Sequence, residues 1–251
     1  MYRYRSTIVL LISIVVLSIF LFSCKSGSSV NVEFEDGISI PVIDLLGEDL
    51  LNVLENDLGF PIYRGNNPPN VEARLLSASS AIGQATVMMQ PTILETTNVP
   101  NDGIQPGGRF RDTLFRFSNQ DNKNLTVDFD RIVLGSNPFL GENSHIIGEG
   151  KNFSVFGRQL DIVEQDTVVS VNFLSGTIDD NGIRDAFGGI IVIDDQGIGI
   201  FIPSGTGRVF TDGDGFAELE KWPSTGGVSI HKFDEGIDVM NQQSKESLKI
   251  E

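Results

Sequence analysis

The sequence predicts an all-β fold: an antiparallel barrel of the lipocalin or calycin kind, or a sandwich, with one N-terminal amphipathic helix. Three observations lead there. From Val71 onward apolar residues recur at every second position. Turn-forming pairs, Asn181-Gly182 and Gln196-Gly197, together with Gly205 and Gly207, separate the runs at steady spacing. No helical periodicity intervenes between them. Eight or more such strands can close into a barrel without free edges, or pack face to face.

Each element follows in chain order. MYRYRST carries Arg3 and Arg5 and no acid, and the apolar run IVLLISIVVLSIFLF follows from Ile8 to Phe22. That run is short for a bilayer span, which takes roughly 20 residues, and its flanks suit a secretory signal instead. Leu21-Phe22-Ser23-Cys24 resembles the lipobox of bacterial lipoproteins, which implies cleavage after Ser23 and acylation of Cys24. The bulky Phe22 departs from the usual small or β-branched residue. Cys24 is the only cysteine, so neither a disulfide framework nor a thiolate metal site is expected. Lys25 stands where an aspartate would signal inner-membrane retention, and by that analogy the outer membrane is favoured over the inner.

Residues 24–40 then read as a lipidated cysteine, a flexible KSGSS tether and a strand-like lead. Asp44 to Leu58 reads as a helix. Leu46, Leu50, Val53, Leu54 and Leu58 form its apolar stripe, Glu48, Asn52, Glu55 and Asn56 face away, and Gly59 and Pro61 end it. The expectation is that Leu46, Leu50 and Leu54 plug one mouth of the barrel. Ser77 to Gly108 reads as a long excursion or an irregular hairpin. TLFRFS and NLTVDFD make a hairpin around NQDNKN, with Phe115 and Phe117, then Leu125, Val127 and Phe129, on single faces. Further runs are NFSVFG, LDIVEQ, TVVSVNFLSG, GGIIVID, GIGIFIP and GRVFTD. The resulting division is a signal at 1–23, the lipidated tether at 24–40, a helix-plus-barrel domain at 41–240 and a tail at 241–251.

Between helix and strands lies LGFPIYRGNNPPN. Gly59, Pro61, Ile62, Tyr63, Gly65, Asn67, Pro68, Pro69 and Asn70 give a GxPIYxGxNPPN block that resembles a group of secreted bacterial lipoproteins of uncharacterised function. SNQ at Ser118 to Gln120, GEGKNFSVF at Gly148 to Phe156 and DGDGFAE at Asp212 to Glu218 extend the resemblance over most of the chain. Ala73 departs from the glycine expected after Asn-x-Glu. The resemblance implies a lipidated β-rich module and carries no activity. Physically, Pro68 and Pro69 stiffen the block into a connector.

The chemistry-bearing candidates are few. DGDGFAE invites a calcium reading through Asp212, Asp214 and Glu218, but an EF-hand alignment puts Phe210 and Lys221 where the first and last carboxylates belong. A turn is the simpler reading. His145 and His231 are the only histidines, and no nucleophile elbow or helical HExxH accompanies them. Asp112-Thr113-Leu114 and Asp166-Thr167-Val168 resemble short periplasmic O-glycosylation sites. Net charge is −16 and becomes −18 once Arg3 and Arg5 leave with the signal. With no basic, aromatic-studded stripe, nucleic acid is an unsuited partner. No cofactor and no catalytic residue are expected. The function expected is a non-catalytic binding module for a small apolar ligand, a glycan or an envelope protein; the alternative is a subunit of an envelope complex without a pocket. A deep apolar cavity favours a carrier, and an exposed apolar patch favours a subunit.

Overall fold

The computed structural model describes residues 32–79, 83–136, 138–163, 166–199 and 202–223. The proposed signal, Cys24, His231 and the 241–251 tail lie outside them. A small hairpin of β1 (Phe34–Glu35) and β2 (Ile38–Ser39) leads into α1 (Ile40–Asn52), which a π-helical turn, Val53–Asp57, continues. β3 (Asn66–Asn67) and α2 (Val71–Ala78) follow. The barrel strands are β4 (Ala85–Met89), β5 (Thr92–Thr97), β6 (Thr113–Asp121), β7 (Thr126–Val133) and β8 (Ser144–Glu149). They continue as β9 (Asn152–Val163), β10 (Asp166–Asp179), β11 (Gly182–Asp194), β12 (Gly207–Asp212) and β13 (Phe216–Leu219).

Antiparallel pairing runs from β4 through β6, β7, β8, β9, β10, β11 and β13 and returns to β4, a closed circuit of eight strands. A sheet closed on itself is a barrel, and its meander order leaves no unpaired edge in the circuit. β12 and β13 lie end to end against β11, and β5 continues β4 beside β12. Gly213 at this bend donates its N–H to the Pro91 carbonyl at 2.7 Å, so both ladders bend together. A Cβ at Gly213 would meet the Pro91 ring at 2.6 Å, which is why the turn takes glycine.

Alternation along the strands sorts the side chains into two cores. One draws on β4 through β13 and includes Val87, Phe115, Phe117, Phe129, Phe153, Leu174 and Phe210; it fills the barrel interior. Its rings touch: Phe115 stacks on Phe129 at 5.7 Å, and Phe117 meets Phe153 edge-on at 5.9 Å. The other draws only on the neighbouring strands β8 to β12, through Ile147, Phe156, Val171, Phe173, Ile191 and Val209, and packs them against α1. Neighbouring residues divide between the two cores, Ile146 against Ile147 and Leu174 against Phe173, so α1 lies on the barrel's outer wall.

This placement corrects the expected plug. Gly47, at φ 74° and ψ 159°, kinks α1, a conformation suited to glycine. The kink rotates the stripe, so Val42, Leu46, Leu51, Leu54 and Leu58 are buried while Leu50 and Val53 are half-buried. The helix also begins at Ile40, where Pro41 suits its first turn. α2 takes the plug's place. Val71 and Leu75 enter the interior core, and Asn70 caps the helix by accepting the Ala73 N–H at 2.8 Å. Gln120 fixes α2 to the end of β6, accepting the Glu72 N–H at 3.2 Å and donating its own N–H to Glu72 Oε2 at 2.8 Å. The period of two therefore begins at β4, not at Val71. Two smaller differences follow. NFSVFG and the Leu160 to Val163 part of LDIVEQ form the single strand β9, and residues 195–199 and 202–206 of the expected GIGIFIP strand and its flanks form turns. The Phe34 to Ser39 hairpin, with Ile38 buried, belongs to the domain rather than to a tether.

Candidate binding site at the end opposite α2

Above the phenylalanine layer, toward the end away from α2, the interior turns polar. On β7 the inward face runs Val127, Phe129, Arg131, so a guanidinium follows two apolar side chains. Arg131 crosses the interior from β7 to β10, where Nη1 donates to Asn172 Oδ1 at 2.7 Å. Asn172 Nδ2 donates to Gln159 Oε1 at 2.6 Å, and Gln159 Nε2 donates to both Asp161 carboxylate oxygens at 2.8 Å. A cation and an anion are thus joined through two amides rather than face to face. Burial pushes Arg131 down to about 10, which still leaves it charged at neutral pH. Burial also raises the Asp161 carboxyl, against the hydrogen bonds from Gln159 that lower it.

Arg131 is 8% exposed, and its Nε has no hydrogen-bond partner in the protein. Ser170, two residues before Asn172 on the same face of β10, is 1% exposed and its Oγ is equally unpartnered. A nearby arginine is held differently. Arg208 on β12 donates from Nε and Nη2 to the two oxygens of Asp102 at 2.8 and 2.7 Å, and Thr97 Oγ1 adds a bond at 2.8 Å. For Asp102, burial acts to raise the carboxyl, but the bonds from Arg208 and Thr97 outweigh it and hold it below the ordinary value.

Exposed apolar side chains stand on the rim of this end. β9 and β10 continue as a two-stranded ribbon beyond the last β10–β11 pair, Val169 with Asp194. On the outward face of that ribbon Leu160 is 57% and Ile162 is 73% exposed. Leu134 and Leu140, in the β7–β8 connection, are exposed beside the same end. A separate groove of about 300 Å³ runs between α1 and β8–β9, with Asp44, Glu142, His145 and Arg158 among its lining residues. Burial lowers the His145 imidazole, because the charged form loses its solvation there.

The residues singled out from sequence are distributed as follows. Asp212 is buried, its carboxylate accepting the backbone N–H groups of Gln90 at 2.8 Å and Asp214 at 3.0 Å. Asp214 accepts the Phe216 N–H, while Glu218 is exposed within β13. Asp212 and Asp214 organise the turn, and Glu218 does not join them. Among the described residues no three His, Cys, Asp or Glu side chains gather to hold a metal ion. Thr113 is buried and donates to the Arg111 carbonyl, so it presents no face for a glycan; Thr167 is exposed on the β9–β10 ribbon. The GxPIYxGxNPPN block is built into the α2 end. Asn66 and Asn67 pair with Gly148 and Glu149, Tyr63 N–H donates to Ser154 Oγ at 2.8 Å, and Asn122 and Gln120 donate to the Pro68 and Pro69 carbonyls. Arg131, Asn172 and Ser170 escaped the sequence reading. The signal was present in DFDRIV, where a cation continues an apolar face.

No family model matches the chain, and no curated protein or solved structure matches it either.

Proposed function

We propose that the chain is a lipid-anchored envelope lipoprotein, held in the outer membrane through Cys24, whose barrel is a non-catalytic binding module for another envelope protein. The anchor rests on the Leu21-Phe22-Ser23-Cys24 junction at the end of an apolar run, and on the resemblance of the GxPIYxGxNPPN block to secreted lipoproteins. The observation that carries the module reading is the contrast between interior and rim. Phenylalanines in mutual contact fill the space that an apolar cargo would need, while Leu160 and Ile162 stand out in solvent on a ribbon that projects past the barrel. Exposed apolar residues grouped at one end favour a docking face.

Site-specific photo-crosslinking in intact cells tests this. A photoreactive residue at Ile162 is expected to give a discrete crosslinked product. The same group at Lys123, in the turn at the α2 end, is expected to give none. Equal products from both positions, or none from Ile162, would sink the rim as a docking face.

A further inference from the structure

We infer that the barrel interior contains a carboxylate-binding site built on Arg131, a site independent of the anchor and of the apolar rim. Two other arginines of this protein show how a guanidinium holds a carboxylate here. Through the Nε–Nη2 edge of the guanidinium, Arg208 grips both oxygens of Asp102 and Arg116 grips Oδ2 of Asp130. That edge matches the two oxygens of a carboxylate in a fork-to-fork arrangement. Arg131 instead commits Nη1 to a neutral amide, Asn172, and its Nε is buried without a partner. A buried charge is ordinarily paired, because water no longer solvates it.

The surroundings are those of a built site. Asn172 is itself oriented by Gln159, which is oriented by Asp161, so the amide oxygen that holds Nη1 is fixed from behind. Ser170 places an unpartnered hydroxyl on the same inward face of β10 as Asn172. A hydroxyl donates to a carboxylate oxygen as readily as it accepts. Phe129 precedes Arg131 on the inward face and closes the site below. Arg131 sits two residues before the end of β7, roughly 7 Å along the strand. A small organic acid reaching the interior from the end opposite α2 would place one oxygen on the free guanidinium edge and offer its second to Ser170.

Calorimetric titration of the full chain in detergent at pH 7 and constant ionic strength tests the site, with acetate, phosphate and chloride as probes. Acetate is expected to bind wild type and to lose about tenfold or more in affinity in Arg131→Lys, which keeps the charge but lacks the fork. Ser170→Ala is expected to weaken acetate by a smaller factor, and Arg184→Lys, at an exposed pair, to leave it unchanged. Thermal unfolding of each variant checks that it is folded, and Ser170→Ala carries the test if Arg131→Lys is not. Phosphate binding more tightly than acetate would overturn the carboxylate assignment. Equal acetate affinity in wild type and Arg131→Lys, or no anion binding by wild type, would overturn the site.

Discussion

Single residues carry most of the chemical information in this barrel, and the clearest case is Asp212. Burial raises its carboxyl, and the neighbouring Asp214 carboxyl raises it further, against the backbone N–H groups of Asp214 and Gln90 that lower it. A carboxyl whose folded pKa is raised contributes stability below the unfolded value of about 3.9, and that contribution is lost as pH rises through the folded pKa. Asp212→Asn removes the titration, so the variant is expected to lose less stability than wild type as pH rises from about 4 to 7. Denaturant unfolding across that range measures it, and parallel pH profiles would show that the site does not titrate with folding. The role of Asp212 in a turn was legible in sequence, because DGDG has the composition of a turn. Arg131 went unread, although the face of Val127 and Phe129 continues to it, because its partner Asn172 lies three strands away and only barrel closure brings them together.

At the scale of elements, most strands were readable, the first helix was found in the sequence but given the wrong packing surface, and the second was missed. Period-two runs between tight turns have one stable arrangement once their apolar faces meet, and β6, β7, β10 and β12 lie where the pattern put them. The helix stripe depends on unbroken helical phase, and Gly47 breaks it. Leu51 thereby replaces Leu50 in the buried set. α2 is eight residues long and amphipathic over two turns, too short for periodicity to separate from a strand. The packing makes a ranked prediction. Leu54 on the π-helical turn after α1 and Leu75 on α2 are both 0% exposed, and alanine at either is expected to cost about 2–5 kcal/mol. Leu50→Ala, half-buried, is expected to cost clearly less. Glu55→Ala removes a partly exposed pair with Arg64 and is expected to cost about 1 kcal/mol or less. Chemical denaturation of the four variants gives the order. A Leu50→Ala loss equal to that of Leu54→Ala would mean that α1 packs in the unkinked phase.

For the whole molecule, charge and closure decide how it can meet a membrane. The closed circuit leaves few strand edges to pair with other chains, and the described helices include none long and apolar enough to cross a bilayer. Net charge is −16, and −18 without residues 1–23. A surface of that sign is repelled by anionic headgroups, so electrostatics cannot hold the domain to a lipid surface. Under the proposed function attachment falls to Cys24, and several acyl chains on one residue give firm anchoring where a single chain is marginal. Cys24→Ala is therefore expected to abolish incorporation of labelled palmitate and to leave the precursor unprocessed. Wild type is expected to stay with membranes through a high-salt wash, because acyl burial does not depend on ionic strength. Fractionation of the variant alone does not discriminate, since its uncleaved apolar run from Ile8 to Phe22 also partitions into membranes. The palmitate label does: a labelled Cys24→Ala chain would remove the anchor from the proposed function and leave the barrel to be explained without a membrane.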